Sequence, residues 1–276
     1  KKKQSLNLKD QHKVNIFFKK HKPDIVILAA GKVGGIQENI NNPYKLFNDN
    51  LLISTNTINA ALNNKVKKFI LFGSSCMYPN NINKPIKENL IFKGNLETTS
   101  LAYSLSKLAS VQMCLTINRQ FNCNKFIPII PNTVYGPNDN FDTLTGHVLP
   151  ALINKIHLAK INNSNKITLW GNGKIRREFI HADDLAKACL LILKSKISNK
   201  HIPINIGVGK DYTIKKLAET ISRTVHYKGK IEWNINKPSG TRRKLLDNSK
   251  IIKLGWKPDI SIEEGIKKTY NWFTNN

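Results

Sequence analysis

Three short apolar runs constrain the fold most: DIVILAA (24–30), KKFILF (67–72) and KFIPII (125–130). Each is continuous in hydrophobic character, rich in β-branched residues and too short for a helix. Such runs fit strands buried on both faces. Between them lie segments of helical period, 42–64 with Leu46, Ile53 and Ala60 among its apolar positions, and 103–121. Strands alternating with helices of this length predict an α/β fold with a doubly wound parallel sheet. Upstream, residues 6–10 read as the exit of a strand. Gln11 to His21 reads as a short helix with Val14, Phe17 and Phe18 inward.

The second run ends in Gly73-Ser-Ser-Cys-Met-Tyr-Pro79, and Tyr103-Ser-Leu-Ser-Lys107 follows on the next helix. Residues four apart share one helix face, so Tyr103 and Lys107 are neighbours. A phenol beside an ammonium is suited to proton transfer, and the expectation is that the cation lowers the tyrosine's pKa. Ser74, at the strand end, is placed to hydrogen-bond a carbonyl that the tyrosine also reaches. Taken alone, Y-x-x-x-K equally describes an amphipathic residue beside a solvated one. Cys76 read alone is a small buried hydrophobe, and His147 a cap or surface residue.

After residue 131 the pattern changes. Pro131 to Pro137 is a strand end entering a turn. His147 to Ile161 reads as a helix with Val148, Leu152 and Ile156 on one stripe, and Ile167 to Trp170 as a short strand. Asp183-Asp184 reads as the N-cap of an apolar helix at 185–195. Ile204 to Gly207 is strand-like, Thr213 caps a helix to about Val225, and two more helices span 247–254 and 261–273. The expected division is residues 1–145 for the sheet domain and 146–276 for a smaller α/β substrate domain, with some segments returning to the first.

Composition narrows the function. The formal net charge is +26, but only six of the 44 basic residues are arginine. Readers of bases and phosphates rely on arginine's planar fork. The lysines are spread along the chain among many Asn and Ile, which argues against specific nucleic-acid binding. A positive field would still attract an anionic sugar nucleotide. The four cysteines show no C-x-x-C spacing and read as reduced cytoplasmic thiols, with neither a disulfide frame nor a metal site expected. No signal peptide or membrane-length apolar run is seen. A doubly wound sheet carries its dinucleotide on a glycine-rich first βα turn. Gly31-Lys-Val-Gly-Gly35 is the nearest cluster, but it follows a later strand. The expectation is therefore that the first β-α-β unit is missing from this chain.

The motifs LAAGKVGGI (28–36), GSSCMYP (73–79), YSLSK (103–107), YGPNDNF (135–141), GHVLPALI (146–153), WGNGKIRREFIH (170–181) and GTRRKLLD (240–247) occur in this order. Together they resemble the GDP-L-fucose synthase family of extended short-chain dehydrogenase/reductases. The resemblance implies a Rossmann-like sheet, NADPH as cofactor, a homodimer formed through the helices near 42–64 and 100–121, and GDP-4-keto-6-deoxy-D-mannose as substrate. It implies catalytic roles for Ser74, Cys76, Tyr103, Lys107 and His147. Cys76 and His147 match the acid/base pair that inverts C3 and C5, while Ser74 and Tyr103 hold the C4 oxygen. Cofactor contacts are implied for Phe72, Gly73, Ser74, Ser75, Lys107, Pro131, Asn132, Thr133, Val134 and His147. Substrate contacts are implied for Lys155, Trp170, Arg177, Ser239 and Lys244, although Trp170 is also readable as a core residue.

Three departures stand out. Lys155 stands where the family usually has arginine, Ser239 where it commonly has aspartate, and Gly31 where it has alanine. Competing readings are another sugar-nucleotide epimerase or reductase of the same fold, or a binding protein that keeps the fold without the cofactor.

Overall fold

The computed structural model describes residues 6–196, 202–236 and 241–276. Helix α1 (Gln11–His21) leads to strand β1 (Ile25–Leu28), and helices α2 (Ile36–Asn41) and α3 (Pro43–Asn63) lead to β2 (Lys68–Phe72). Helix α4 (Leu101–Gln120) then connects to β3 (Phe126–Pro131) and β4 (Thr133–Tyr135). Helix α5 (Val148–Ile161) precedes β5 (Lys166–Trp170), β6 (Arg176–His181) and α6 (Ala182–Lys194). The chain continues through β7 (Ile204–Ile206), β8 (Asp211–Thr213), α7 (Ile214–Val225), β9 (Lys230–Asn234), β10 (Arg243–Lys244), α8 (Ser249–Lys253) and α9 (Ile262–Asn275).

Strands β1, β2, β3 and β7 lie side by side in that order, all parallel. Alternate side chains of a strand point to opposite faces, and here each face has its own core. Phe69, Leu71, Phe126 and Ile130 pack with Val14, Ile58, Val111 and Cys114 from α1, α3 and α4. Ile70, Ile127 and Ile129 point the other way, against Leu185, Ala188 and Ile192 of α6 and Ile251 of α8. This is the doubly wound sheet expected from the three apolar runs.

A second group of strands stands beside this sheet. β6 pairs in parallel with β4 on one side and β10 on the other, and antiparallel with β8. β5 pairs with β9. Their core joins Leu149, Ile153 and Ile156 of α5 to Leu217 and Ile221 of α7 and Ile262 and Ile266 of α9. Thr213 Oγ1 accepts from Lys216 N at 3.1 Å, the expected cap, and Ser261 Oγ caps α9 by accepting from Glu264 N at 3.1 Å. Each stabilises its helix by about 1 kcal/mol.

Four local expectations fail. Residues 6–10 form a loop and turn, not a strand. Phe17 is 39% exposed, while Val14 and Phe18 carry the inward face of α1. β1 is not buried on both sides: Ile25 and Ile27 share one face and are 50% and 44% exposed. The helices behind that face, α6 and α8, cover β2, β3 and β7 but not β1. Finally, α6 starts at Ala182 and is capped by His181, whose Nδ1 accepts from Asp183 N at 3.2 Å. Asp184 is fully buried in the first turn. Its carboxylate accepts from Asp259 N and Ile260 N, fastening the loop before α9.

Among the described residues no helix is long and apolar enough to cross a membrane.

Candidate active site

The carboxyl end of β2 sets the site. Gly73 follows the strand with no side chain because a Cβ there would lie 3.1 Å from Ile129 O and closer still to the Met77 side chain. Ser74 then leaves the strand in extended conformation and caps a single 3-10 turn, Ser75–Met77, its Oγ accepting from Cys76 N at 3.3 Å. That turn packs against helix α4.

Helix α4 supplies the next two groups. Lys107 is 5% exposed, its Nζ donates to Phe72 O at 3.1 Å, and it stands 6.0 Å from the Tyr103 ring centre. Burial pushes the Lys107 ammonium from its ordinary 10.5 down to about 8. Tyr103 departs from the expectation that Lys107 lowers its pKa. Burial, and then the neighbouring Cys76 charge, push the phenol upward, and only the hydrogen bond with Ser74 opposes them. The Tyr103 phenol is thus held in its protonated form.

Strands β6 and β10 bring cations to the other side of Cys76. Their register pairs Arg243 with Arg176 and Lys244 with Arg177. The first pair clamps the Asp211 carboxylate of β8: Arg176 Nη2 donates at 2.7 Å and Arg243 Nε at 2.5 Å. Burial would raise Asp211, but these guanidinium groups outweigh it and hold the carboxyl below its ordinary value. The second pair faces Cys76. Lys244 Nζ donates to Cys76 Sγ at 3.5 Å, and Arg177 also acts on that sulfur through its charge. Arg177 is anchored through Nη1 to Thr241 O at 2.6 Å and Arg176 O at 2.8 Å. Burial raises the Cys76 thiol; Lys244, the Ser74 hydroxyl and Arg177 together reverse this and leave it below its ordinary value.

Other predicted contacts sit on or beside β3, β4, α5 and β5. The Asn132 side chain is spent inside the protein, accepting from Ser75 Oγ at 3.2 Å and donating to Glu178 at 2.6 Å. Pro131, Thr133 and Val134 surround it at the β3–β4 junction. His147 is the residue before α5, and its side chain makes no capping bond. The loop before it meets the first glycine cluster, Gly35 N donating to Thr145 O at 3.1 Å. Lys155 lies on α5, and burial lowers its pKa. Trp170 ends β5 and is 41% exposed. Ser239 lies outside the described residues.

Three acidic residues were not anticipated. Glu97 acts on both Lys244 and Arg177 through its charge, while its oxygens accept from Thr99 and Ser100. Asp211 holds the clamp. Glu178, fully buried, accepts from Asn132, Gly209 N and Leu246 N. The alternation R-R-E was the available signal, because a strand must send Arg176 and Glu178 to one face and Arg177 to the other.

The arrangement fits a reduced nicotinamide cofactor. A lysine ammonium has three donors, and Phe72 O takes one at Lys107. Beside it, a Cβ on Gly31 would sit 3.3 Å from Lys107 Nζ and 2.9 Å from Asn50 Oδ1. The glycine leaves space beside the ammonium that an alanine would fill.

Residues 2–207 match the NAD dependent epimerase/dehydratase family. The chain belongs to that family. A putative GDP-L-fucose synthase of Arabidopsis thaliana is 43% identical over 98% of this chain and 82% of its own length. The GDP-L-fucose synthase of Escherichia coli K12 is 40% identical over 98% of this chain and 86% of its own. Among solved structures, a GDP-mannoheptose C4 reductase from Campylobacter jejuni with NADP bound superimposes with a TM-score of 0.86 at 37% identity, covering 99% of this chain and 88% of that one.

Proposed function

We propose that this chain converts GDP-4-keto-6-deoxy-D-mannose to GDP-L-fucose by 3,5-epimerisation and NADPH-dependent reduction of the 4-ketone. The observation that carries this is the meeting of two sets of groups at the end of β2. Ser74, Tyr103 and Lys107 form a ketone-reducing set, and Cys76, flanked by Lys244 and Arg177, lies beside it.

The substrate's C3 and C5 protons lie α to the ketone, so removing either gives an enolate whose charge rests on the C4 oxygen. Ser74 and Tyr103 donate to that oxygen as the charge develops. Cys76 and His147 serve as the acid/base pair that removes each proton and returns one on the opposite face. When bound, NADPH would supply the hydride for C4. Tyr103, which burial keeps protonated, gives its proton to the C4 oxygen, and Lys107 would hold the nicotinamide ribose. Phe72, Gly73, Ser75 and residues 131–134 line the cofactor side. Arg177 and Lys244 provide cations for the diphosphate, with Lys155 and Trp170 completing the nucleotide site. The reading divides the chain near residue 145, places the reaction in the cytoplasm, and pairs two copies through α3 and α4.

The test is incubation with the keto-sugar and NADPH in heavy water, followed by NMR of the product. GDP-L-fucose with deuterium at C3 and C5 is expected. A second reading, C4 reduction alone, is favoured by the likeness to the Campylobacter jejuni reductase. NADPH oxidation without deuterium at either carbon would select it.

A further inference from the structure

Lys244 does more than offer one cation among several to a diphosphate. It is 9% exposed, and its ammonium points at the Cys76 sulfur, 3.5 Å away. Its backbone is held on every side. β10 pairs with β6, the neighbouring Arg243 is locked to Asp211, and Lys244 O accepts from Asn132 Nδ2. Beyond it, Leu245 O accepts from Ile86 N and Leu246 N donates to Glu178 at 2.9 Å. This fixed backbone sets the ammonium against one atom of the protein, the Cys76 sulfur.

We propose that Lys244 is a positioning residue that acts through Cys76: from its fixed seat on β10, its ammonium holds the Cys76 sulfur as a thiolate aimed at the sugar ring. This rests on the epimerase reading above. The thiol proton leaves to water and the electron pair stays on sulfur. When a ring proton is taken, the sulfur returns to S–H and the C–H electron pair passes into the enolate. The charged and titratable groups around this sulfur are Lys244 on β10, Arg177 on β6 and Tyr103 on α4, with the Ser74 hydroxyl from the end of β2. Glu97 faces the two cations from the loop before α4. Four hydrogen bonds from Thr99 and Ser100 favour its ionised form. Burial alone would drive the thiol towards its neutral form, and Lys244 is the largest influence acting against burial.

The test titrates the sulfur directly, without substrate. Iodoacetamide alkylation of Cys76 is followed against pH by peptide mass spectrometry, which separates it from Cys114, Cys123 and Cys189. In the wild type the midpoint is expected below that of an ordinary thiol. Lys244→Met should raise it by about one pH unit, a roughly tenfold loss of reactivity near neutrality. Lys244→Arg should keep it near the wild-type value, and Lys244→Gln replaces the methionine variant if that one does not fold. Deuterium uptake at C3 and C5 should fall in Lys244→Met and recover as the pH is raised.

An unchanged midpoint in the methionine or glutamine variant overturns the proposal. So does an arginine variant displaced as far as the methionine one, or a wild-type midpoint at or above the ordinary thiol value. Failure of the epimerase reading shows differently: the wild type then takes up no deuterium while the thiol titration is unaffected.

Discussion

Replacing Lys107 by methionine removes a charge from a place where water hardly reaches it. The side chain is 5% exposed, and burial lowers its pKa from 10.5 to about 8. That drop corresponds to roughly 3 kcal/mol against the charged form at neutral pH. The hydrogen bond to Phe72 O, lost in the variant, returns about 1–2 kcal/mol. Lys107→Met should therefore be more stable than the wild type at pH 7, by about 1–2 kcal/mol. The sign also fixes a pH dependence. Below pH 8 the lysine is charged in both folded and unfolded chains, and the whole penalty applies. Between about 8 and 10.5 the unfolded chain binds more protons than the folded one, so wild-type stability rises relative to the variant. Above 10.5 the penalty is gone. Urea unfolding of both proteins at pH 7, 9 and 10, under reducing conditions, measures this difference. The penalty falls by about 2.5 kcal/mol between the first and last values, so the variant's advantage should vanish or reverse, while cofactor binding and turnover are lost throughout. A variant less stable than the wild type at pH 7, or a difference independent of pH, would refute the assignment of Lys107 as a charge held at a cost for the cofactor.

Tyr103→Phe should keep the fold and lose turnover by about a hundredfold or more, since proton donation contributes on that scale; undiminished NADPH oxidation would remove Tyr103 from the mechanism. Asp211→Asn should weaken the two-arginine clamp by about 1–2 kcal/mol, discounted because Arg176 and Arg243 are part exposed. The Asp211 carboxyl is held below its ordinary value, so its contribution is present above the unfolded carboxylate range and fades as pH falls through the folded pKa. Acid unfolding curves of wild type and variant should therefore converge at low pH. Leu52 and Leu105, 37% and 43% exposed on α3 and α4, should lie in the dimer interface. Changing both to glutamate is expected to give monomers by analytical ultracentrifugation.

The sheet was legible because its strands carry apolar residues at both parities. Ile70 and Leu71 belong to different cores, and no half-exposed strand could afford both. The same rule misled at DIVILAA. Ile25 and Ile27 look buried in the sequence, but burial depends on how far α6 and α8 reach, which no local pattern records. Tyr103 and Lys107 were singled out by their spacing and Cys76 by the family resemblance, whereas their ionisation was not legible. The phenol's rise comes from depth and from the Cys76 charge, brought by a separate turn. The capping misreading at Asp183 has a similar cause. A histidine ring nitrogen can cap a helix as a carboxylate does, and His181 does so two residues before Asp183. Glu97 and Asp211 escaped notice because their partners are about 80 to 150 and about 30 residues away in sequence.

The 3.5 Å contact between Lys244 and Cys76 joins two strand groups. Cys76 stands on the sheet that would carry the cofactor; Lys244 arrives on the strand group that would grip the nucleotide sugar. Reactivity and recognition therefore share one atom pair. Remodelling the sugar-gripping half to accept a new substrate would retune the thiol at the same stroke. A collection of related enzymes that differ in their sugars should accordingly differ in cysteine reactivity even where the cysteine itself never changes.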